Sequence, residues 1–155
     1  MDTSDLRAAY DRFLGAARSS TECRAADAAG WTVAMVVAHV AANDRLIAAH
    51  LRRAMAGEPT VYDNRSVYRA VELQPIVDAD SDVRSQIEGA QRSSAEVLEL
   101  AGGMDEAISA LAFQTTIRDG DLVHVVSMSL ARLLGAQMRV HLPLHTAQIE
   151  ALVDA

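Results

Sequence analysis

The sequence predicts a mainly α-helical single domain of four helices, with a long crossover between the second and third and a short β-hairpin before the fourth. Four segments repeat apolar residues at i, i+3, i+4 and i+7, the spacing that lays one apolar stripe along a helix. Strand-like texture is confined to residues 111–127. With 155 residues, half of them apolar, the chain can bury one good core, and residues 1–155 read as one domain.

Thr3 or Ser4 caps the first helix, which turns Leu6, Ala9, Tyr10, Phe13, Leu14 and Ala17 inward and ends near Ser19. After a polar connection holding Asp27 and Gly30, Trp31 and Thr32 form the apolar staple and N-cap of the second helix. Its stripe is Val33, Val36, Val37, Val40, Ile47 and Leu51, and Gly57 and Pro59 close it. Residues 57–80 have no sustained period and read as a crossover that spans one end of the fold, a place from which a site is often roofed.

Asp80 or Ser81 caps the third helix, with Val83, Ile87, Ala90, Ser94, Val97 and Leu98 inward and Gly102-Gly103 as its end. β-Branched residues around Asp119-Gly120, a dipeptide suited to a type I′ turn, predict the hairpin. Ser129 then caps the last helix, which presents Leu130, Leu133, Leu134, Met138, His141, Leu144, His145 and Ile149 and ends near Val153. Pro143 lies inside it and lacks the N–H that would bond the Arg139 carbonyl, a defect costing ~3 kcal/mol in an ordinary helix. Either the helix splits at His141 or it bends there and helps to shape what lies beside it.

The net charge is −7, with no basic stripe carrying interleaved aromatics, so neither nucleic acid nor an anionic membrane surface is an expected partner. Acids at Asp2 and Asp5 stand where a signal peptide would be basic, and no run of 18 apolar residues occurs, so a cytoplasmic location is expected. Cys23 is the only cysteine and sits in a polar connection, which suits an incidental thiol better than a nucleophile.

Three histidines interrupt apolar helix faces: His39 in the second helix, and His141 and His145, one turn apart, in the fourth. An i, i+4 pair among five histidines is weak evidence by itself. The setting strengthens it, because a buried imidazole without a partner costs ~1–3 kcal/mol, whereas a metal ion takes up three lone pairs at once. If the second and fourth helices run antiparallel, His39 lies ~10 Å from the start of one and His145 ~12 Å from the end of the other, at one level. If they ran parallel, the three could not share an ion.

Neutral imidazoles suit zinc or nickel and leave an open, positively charged coordination position, which favours hydroxide or thiolate there. Asn43 and Gln148 project from the same faces and can orient a ligand or a metal-bound water, or simply cap polar helix ends. His50 lies ~16 Å along the axis from His39, too far to share the ion, and reads as a solvated or helix-end histidine. His124 reads as an outward strand residue. Arg65 and Arg69 in the crossover read as solvated loop arginines, with recognition of an anionic substrate as their alternative role.

Trp31-Thr-Val-Ala-Met-Val-Val-Ala-His39, together with His141-x-x-x-His145-x-x-Gln148-Ile149, resembles the DinB/YfiT-like superfamily, which includes the N-terminal domain of mycothiol-dependent maleylpyruvate isomerase. The likeness spans nearly the whole chain. It implies an up-down-down-up four-helix bundle, a three-histidine zinc or nickel site, frequent dimerisation, and chemistry that joins a low-molecular-weight thiol to a small electrophile. The chain departs from the mycothiol branch in having His141 where that branch uses a glutamate, and in placing Pro143 between the ligands. Sequence reasoning therefore points to a metal-dependent thiol transferase or isomerase. A metal-dependent thiol-binding or sensing module without turnover, and a metal-dependent hydrolase, are the alternatives. No Asp or Glu falls beside the triad by spacing, so a proton donor is missing from the enzyme readings.

Overall fold

The computed structural model describes residues 2–23, 25–79, 82–119 and 121–154. The helices are α1 (Ser4–Ser19), α2 (Val33–Met55), α3 (Ala70–Ala79), α4 (Val83–Gly103), α5 (Glu106–Ala110), α6 (Leu130–Ala136) and α7 (Leu142–Val153). A π turn, Gln137–His141, joins α6 to α7. Three strands, β1 (Val61–Asp63), β2 (Ala112–Asp119) and β3 (Leu122–Ser129), form one sheet in that order.

The centre of the fold is α2, buried on nearly every side from Val33 to Asp44 because alanines and valines fill that stretch. It packs against α4 and α7, and α1 packs against the same two helices. The six apolar residues assigned to the first helix are all buried, as are the six assigned to the second. Thr32 caps α2 as expected, its hydroxyl accepting from the Met35 N–H.

Ser129 likewise caps α6, through the Arg132 N–H, but the caps of α1 and α4 differ from the expectation. Ser4 is already helical and Thr3 makes no side-chain cap bond; Asp2 instead accepts the Ser4 N–H and hydroxyl. Asp80 and Ser81 lie outside the described residues, and Asp82 is the residue that caps α4, through the Arg84 N–H. The helix ends at Gly103, as expected, though without a left-handed glycine. Gly102 and Gly103 form its last turn, and Met104 follows as the C-cap.

The crossover between α2 and α4 holds more structure than its lack of period suggests: β1, a 3₁₀ turn over Arg65–Val67, and α3. β1 lies parallel to β2, with Val61 opposite Gln114, so the predicted two-stranded hairpin is part of a three-stranded sheet. β2 and β3 pair from Ala112↔Ser129 to Asp119↔Leu122, so Asp119, which the sequence placed in the turn, is the last paired residue of β2. Gly120 itself is outside the described residues.

The last helix neither stops at His141 nor continues in α register. The Leu142 N–H bonds to the Gln137 carbonyl, five residues back, and this wider turn directly precedes Pro143, the residue with no N–H to give. One residue is thereby added to the turn. The buried residues run Leu130, Leu133, Leu134, Gln137 and then Leu142, His145, Ile149, Leu152, with the His141 ring also turned inward, so both His141 and Leu142 face the core where an α-helix would turn Leu142 away. Leu144, expected inside, is 62% exposed, and Leu142 takes its place at 0%. A straight-helix period cannot anticipate that rotation.

Candidate metal site

Bonds between α2 and the last helix fix how the two run. His39 meets His141, whereas Asn43, one turn further along α2, meets Gln137, one turn earlier in the other helix. Partners that step in opposite directions belong to antiparallel helices, the arrangement that the three-histidine argument required. His39 and His145 are both buried, with ring centroids 4.7 Å apart; the His141 ring lies 5.0 Å from the first and 4.6 Å from the second.

The ring nitrogens are held in defined roles. His39 Nδ1–H donates to the Val67 carbonyl at 2.5 Å, so its Nε2 lone pair faces the other two rings. His145 Nδ1–H donates to Gln148 Oε1 at 2.9 Å, and the Gln148 amide donates in turn to Asp27 Oδ2 at 2.9 Å. Asp27 is itself anchored, its other oxygen accepting the Ala29 and Trp31 N–H groups. Burial opposes the Asp27 charge, but the Trp31, Gln148, Ala29 and Gly30 donors outweigh it and hold the carboxyl below its usual range. The result is a carboxylate–amide–imidazole chain of the sort that fixes the tautomer of a metal-ligating histidine.

Electrostatics favour the neutral imidazoles that a metal needs. Burial pushes His39 down to about 4, with the nearby His145 adding to the effect and the Val67 carbonyl opposing it. Burial also lowers His141, well below its ordinary value, and His145, the latter against the Gln148 carbonyl oxygen. All three are uncharged at neutral pH.

The geometry fits one divalent ion. His39 Nε2 and His141 Nε2 stand 2.9 Å apart, a separation that corresponds to an angle of about 90° at a metal with bonds of about 2.0–2.1 Å. One potential ligand atom from each of the three residues lies within 4.8 Å of the others, which leaves a common point no more than about 2.8 Å from each. His141 Nδ1 is buried and has no hydrogen-bond partner, so nothing on that side holds the ring against its two neighbours.

These rings open onto a cavity of about 790 Å³. Trp31 lies against two of them, stacked on His145 with centroids 6.3 Å apart and edge-on to His39 at 5.4 Å. Leu133, Val140 and Leu144 add apolar wall, while Tyr62, Asn64, Tyr68 and Arg69 bring the crossover over the cavity as its roof.

Of the other residues singled out from sequence, Gln148 holds His145. Asn43 lines the cavity but bonds Gln137 and Tyr62 instead of an imidazole. Arg69 lines the cavity; Arg65 pairs with Asp63 outside it. His124 is exposed, as its strand position implied. His50, expected to be solvated, is 3% exposed: its Nδ1 bonds the Thr60 hydroxyl at 2.6 Å and the Phe113 ring covers it, because the sheet packs over that end of α2. The half-buried Cys23 contacts the Leu152 carbonyl and takes no part.

Sequence reasoning missed Tyr62, Gln137, Arg118 and the role of Asp27. Only Gln137 carried a signal, a polar residue on the inward stripe of an apolar helix.

Together these features define a mainly helical domain whose buried three-imidazole cradle can hold a divalent ion beneath a crossover. The model of the mycothiol maleylpyruvate isomerase N-terminal domain matches residues 3–139, and the chain belongs to that family. The matched span takes in Trp31 and His39 and ends two residues before His141. No curated protein and no solved structure matches the chain at a significant level.

Proposed function

We propose that His39, His141 and His145 hold one zinc or nickel ion and that the domain uses it to join a low-molecular-weight thiol, of the mycothiol type, to a small electrophile as an S-transferase or isomerase. The observation that carries this reading is the convergence of three neutral imidazoles on the wall of one cavity, in a chain of a mycothiol-related family. A divalent ion there would bring a bound thiol to its thiolate form near neutral pH.

The protein's own contribution is positional. Val67 and Gln148 fix two ring orientations, Trp31 shields the rings from water, and the crossover residues confine the reactants. Arg69 and Arg118 stand on the cavity wall, where they favour an anionic electrophile. Antiparallel packing of α2 and α7 supports an up-down-down-up order of the four long helical segments. The cytoplasm, where such thiols stay reduced, is the fitting compartment, and a homodimer the expected assembly.

A second reading, metal-dependent thiol binding or sensing without turnover, draws on one observation. None of the hydrogen bonds of the three imidazoles reaches an acid directly; Asp27 is connected only through Gln148. The test is metal content per chain on tag-free protein, followed by thiol consumption with a panel of electrophiles, for the parent and His145→Ala. About one ion per chain, with metal and conjugation both lost in the variant, supports the enzyme. Metal lost without any conjugation in the parent supports the binding module, and a metal-free parent refutes both.

A further inference from the structure

A fully buried polar cluster lies one helical turn deeper than the triad. Asp44 is 0% exposed, and its Oδ1 accepts from the Tyr10 hydroxyl at 2.7 Å and from Gln137 Nε2 at 2.9 Å. Gln137 Oε1 accepts from Asn43 Nδ2 at 3.1 Å, and Asn43 Oδ1 accepts from the Tyr62 hydroxyl. The Ser93 hydroxyl stands 3.5 Å from Asp44 Oδ2 but only 3.0 Å from the Ala90 carbonyl, which takes its single proton. Asp44 Oδ2 has only this long contact, too weak to hold a buried charge, so the carboxyl is best satisfied in its neutral form with its proton directed toward the Ser93 oxygen.

Gln137 has a second connection. Its carbonyl accepts the Leu142 N–H and so closes the π turn, which ends at His141. The added residue in that turn rotates everything after it by about one residue's share of a helical turn, roughly 100°. In uninterrupted α register the inward positions would follow Gln137 at three and four residues. His141 does follow Gln137 at four, but the burial of Leu142 at five and the exposure of Leu144 at seven exist only with the wide turn. The side chain of the residue that opens this turn is gripped by Asp44 and Asn43 of α2, the helix that carries His39.

We propose that Gln137, held by a neutral Asp44 and by Asn43, is a positioning residue that sets the register of the π turn against α2 and thereby the approach of His141 to His39. This rests on the three-histidine metal reading. His141 needs such a device more than its companions, since His39 is tied to Val67 and His145 to Gln148, whereas His141 Nδ1 has no partner.

The test compares cobalt(II) affinity, by chelator competition, and the visible spectrum of the cobalt protein for the parent, Gln137→Met, Asp44→Asn and Tyr10→Phe, with folding checked by far-ultraviolet circular dichroism. Gln137→Met is expected to lose about 10- to 100-fold in affinity, the range seen when supports of metal ligands are removed, with a changed spectrum. Asp44→Asn keeps an acceptor for Gln137 and a donor for Ser93, and should stay within about threefold of the parent. Tyr10→Phe removes the hydroxyl that donates to Asp44 and that Gln137 Nε2 reaches at 3.5 Å, but leaves Gln137's shorter bonds to Asp44 and Asn43 of α2; it should destabilise the fold yet leave the spectrum unchanged.

An unaltered affinity and spectrum in folded Gln137→Met overturns the proposal, and so does an equal loss in Tyr10→Phe, which would mark the cluster as merely structural. Where Gln137→Met fails to fold, Gln137→Asn, one methylene short, is read by the same criteria. A parent that binds no cobalt refutes the metal site itself, and this proposal with it; a metal-binding parent with an indifferent Gln137→Met refutes the positioning role alone.

Discussion

Replacing Asp44 by asparagine should make the protein more stable at neutral pH, not less. Burial raises the Asp44 carboxyl to about 8, against the bonds from Tyr10, Ser93 and Gln137 and the charge of Arg45, which pull it down. An acid whose folded-state pKa lies above its unfolded value contributes fully below the unfolded value and loses that contribution as pH rises toward the folded one. The window here runs from about 4 to about 8 at about 1.4 kcal/mol per pH unit, or up to about 4 kcal/mol forfeited by the wild type at pH 7.

Asparagine matches the neutral carboxyl in shape and bonding and does not titrate. The two proteins should therefore unfold together at pH 4 and diverge as pH rises. Urea denaturation of the metal-free proteins at pH 4, 5.5 and 7 reads this directly. For a chain of this length each kcal/mol also moves the midpoint of thermal unfolding by about 2–4 °C. An Asp44→Asn variant that is less stable than wild type at pH 7 would show the native group to be a carboxylate accepting three hydrogen bonds, and the argument for a neutral Asp44 would fail.

Three further expectations are open to measurement. Leu142→Ala should cost about 2–5 kcal/mol and Leu144→Ala less than about 1, because the π turn buries the first and exposes the second; equal costs by urea denaturation would contradict the register. Gln148→Leu removes the acceptor of His145 Nδ1–H and should weaken zinc about 10- to 100-fold in chelator competition, an effect absent if the chain to Asp27 is incidental. Without metal, the contribution of buried, neutral His39 to stability should fall as pH drops from about 6.5 toward 4, since the unfolded chain takes up protons that it refuses. For His39 alone the loss reaches about 3 kcal/mol, so the stability difference between wild type and His39→Gln should shift by about that much between pH 6.5 and pH 4, and a difference that does not change with pH would contradict it.

Much of this architecture is legible in the sequence because it depends on short-range rules. The stripes of the first two helices, the Thr32 cap, the hairpin texture and the antiparallel pairing demanded by His39 and His145 all follow from period, cap chemistry and rise per residue. β1 escapes because three residues become a strand only when β2 supplies the partner. Leu144 and Leu142 exchange roles because a single inserted residue in the helix changes no composition and leaves no local mark beyond Pro143.

The site divides in the same way. Its ligands stand out as imidazoles on apolar faces, while their supports do not. Gln148 is visible by spacing, but Asp27 lies 121 positions away from it and meets it only through the folding of the connection between α1 and α2. Asp44 and Gln137, 93 positions apart, were each odd polar residues on apolar helices, and nothing in one-dimensional spacing pairs them.

The central claim, that three imidazoles from two helices share one ion, is tested most directly by X-ray absorption at the zinc edge on protein loaded to one ion per chain. Three nitrogen scatterers at about 2.0–2.1 Å with imidazole multiple scattering, falling to two in His141→Ala, is the predicted result. A spectrum dominated by oxygen ligands, or one unchanged by the loss of His141, would contradict it.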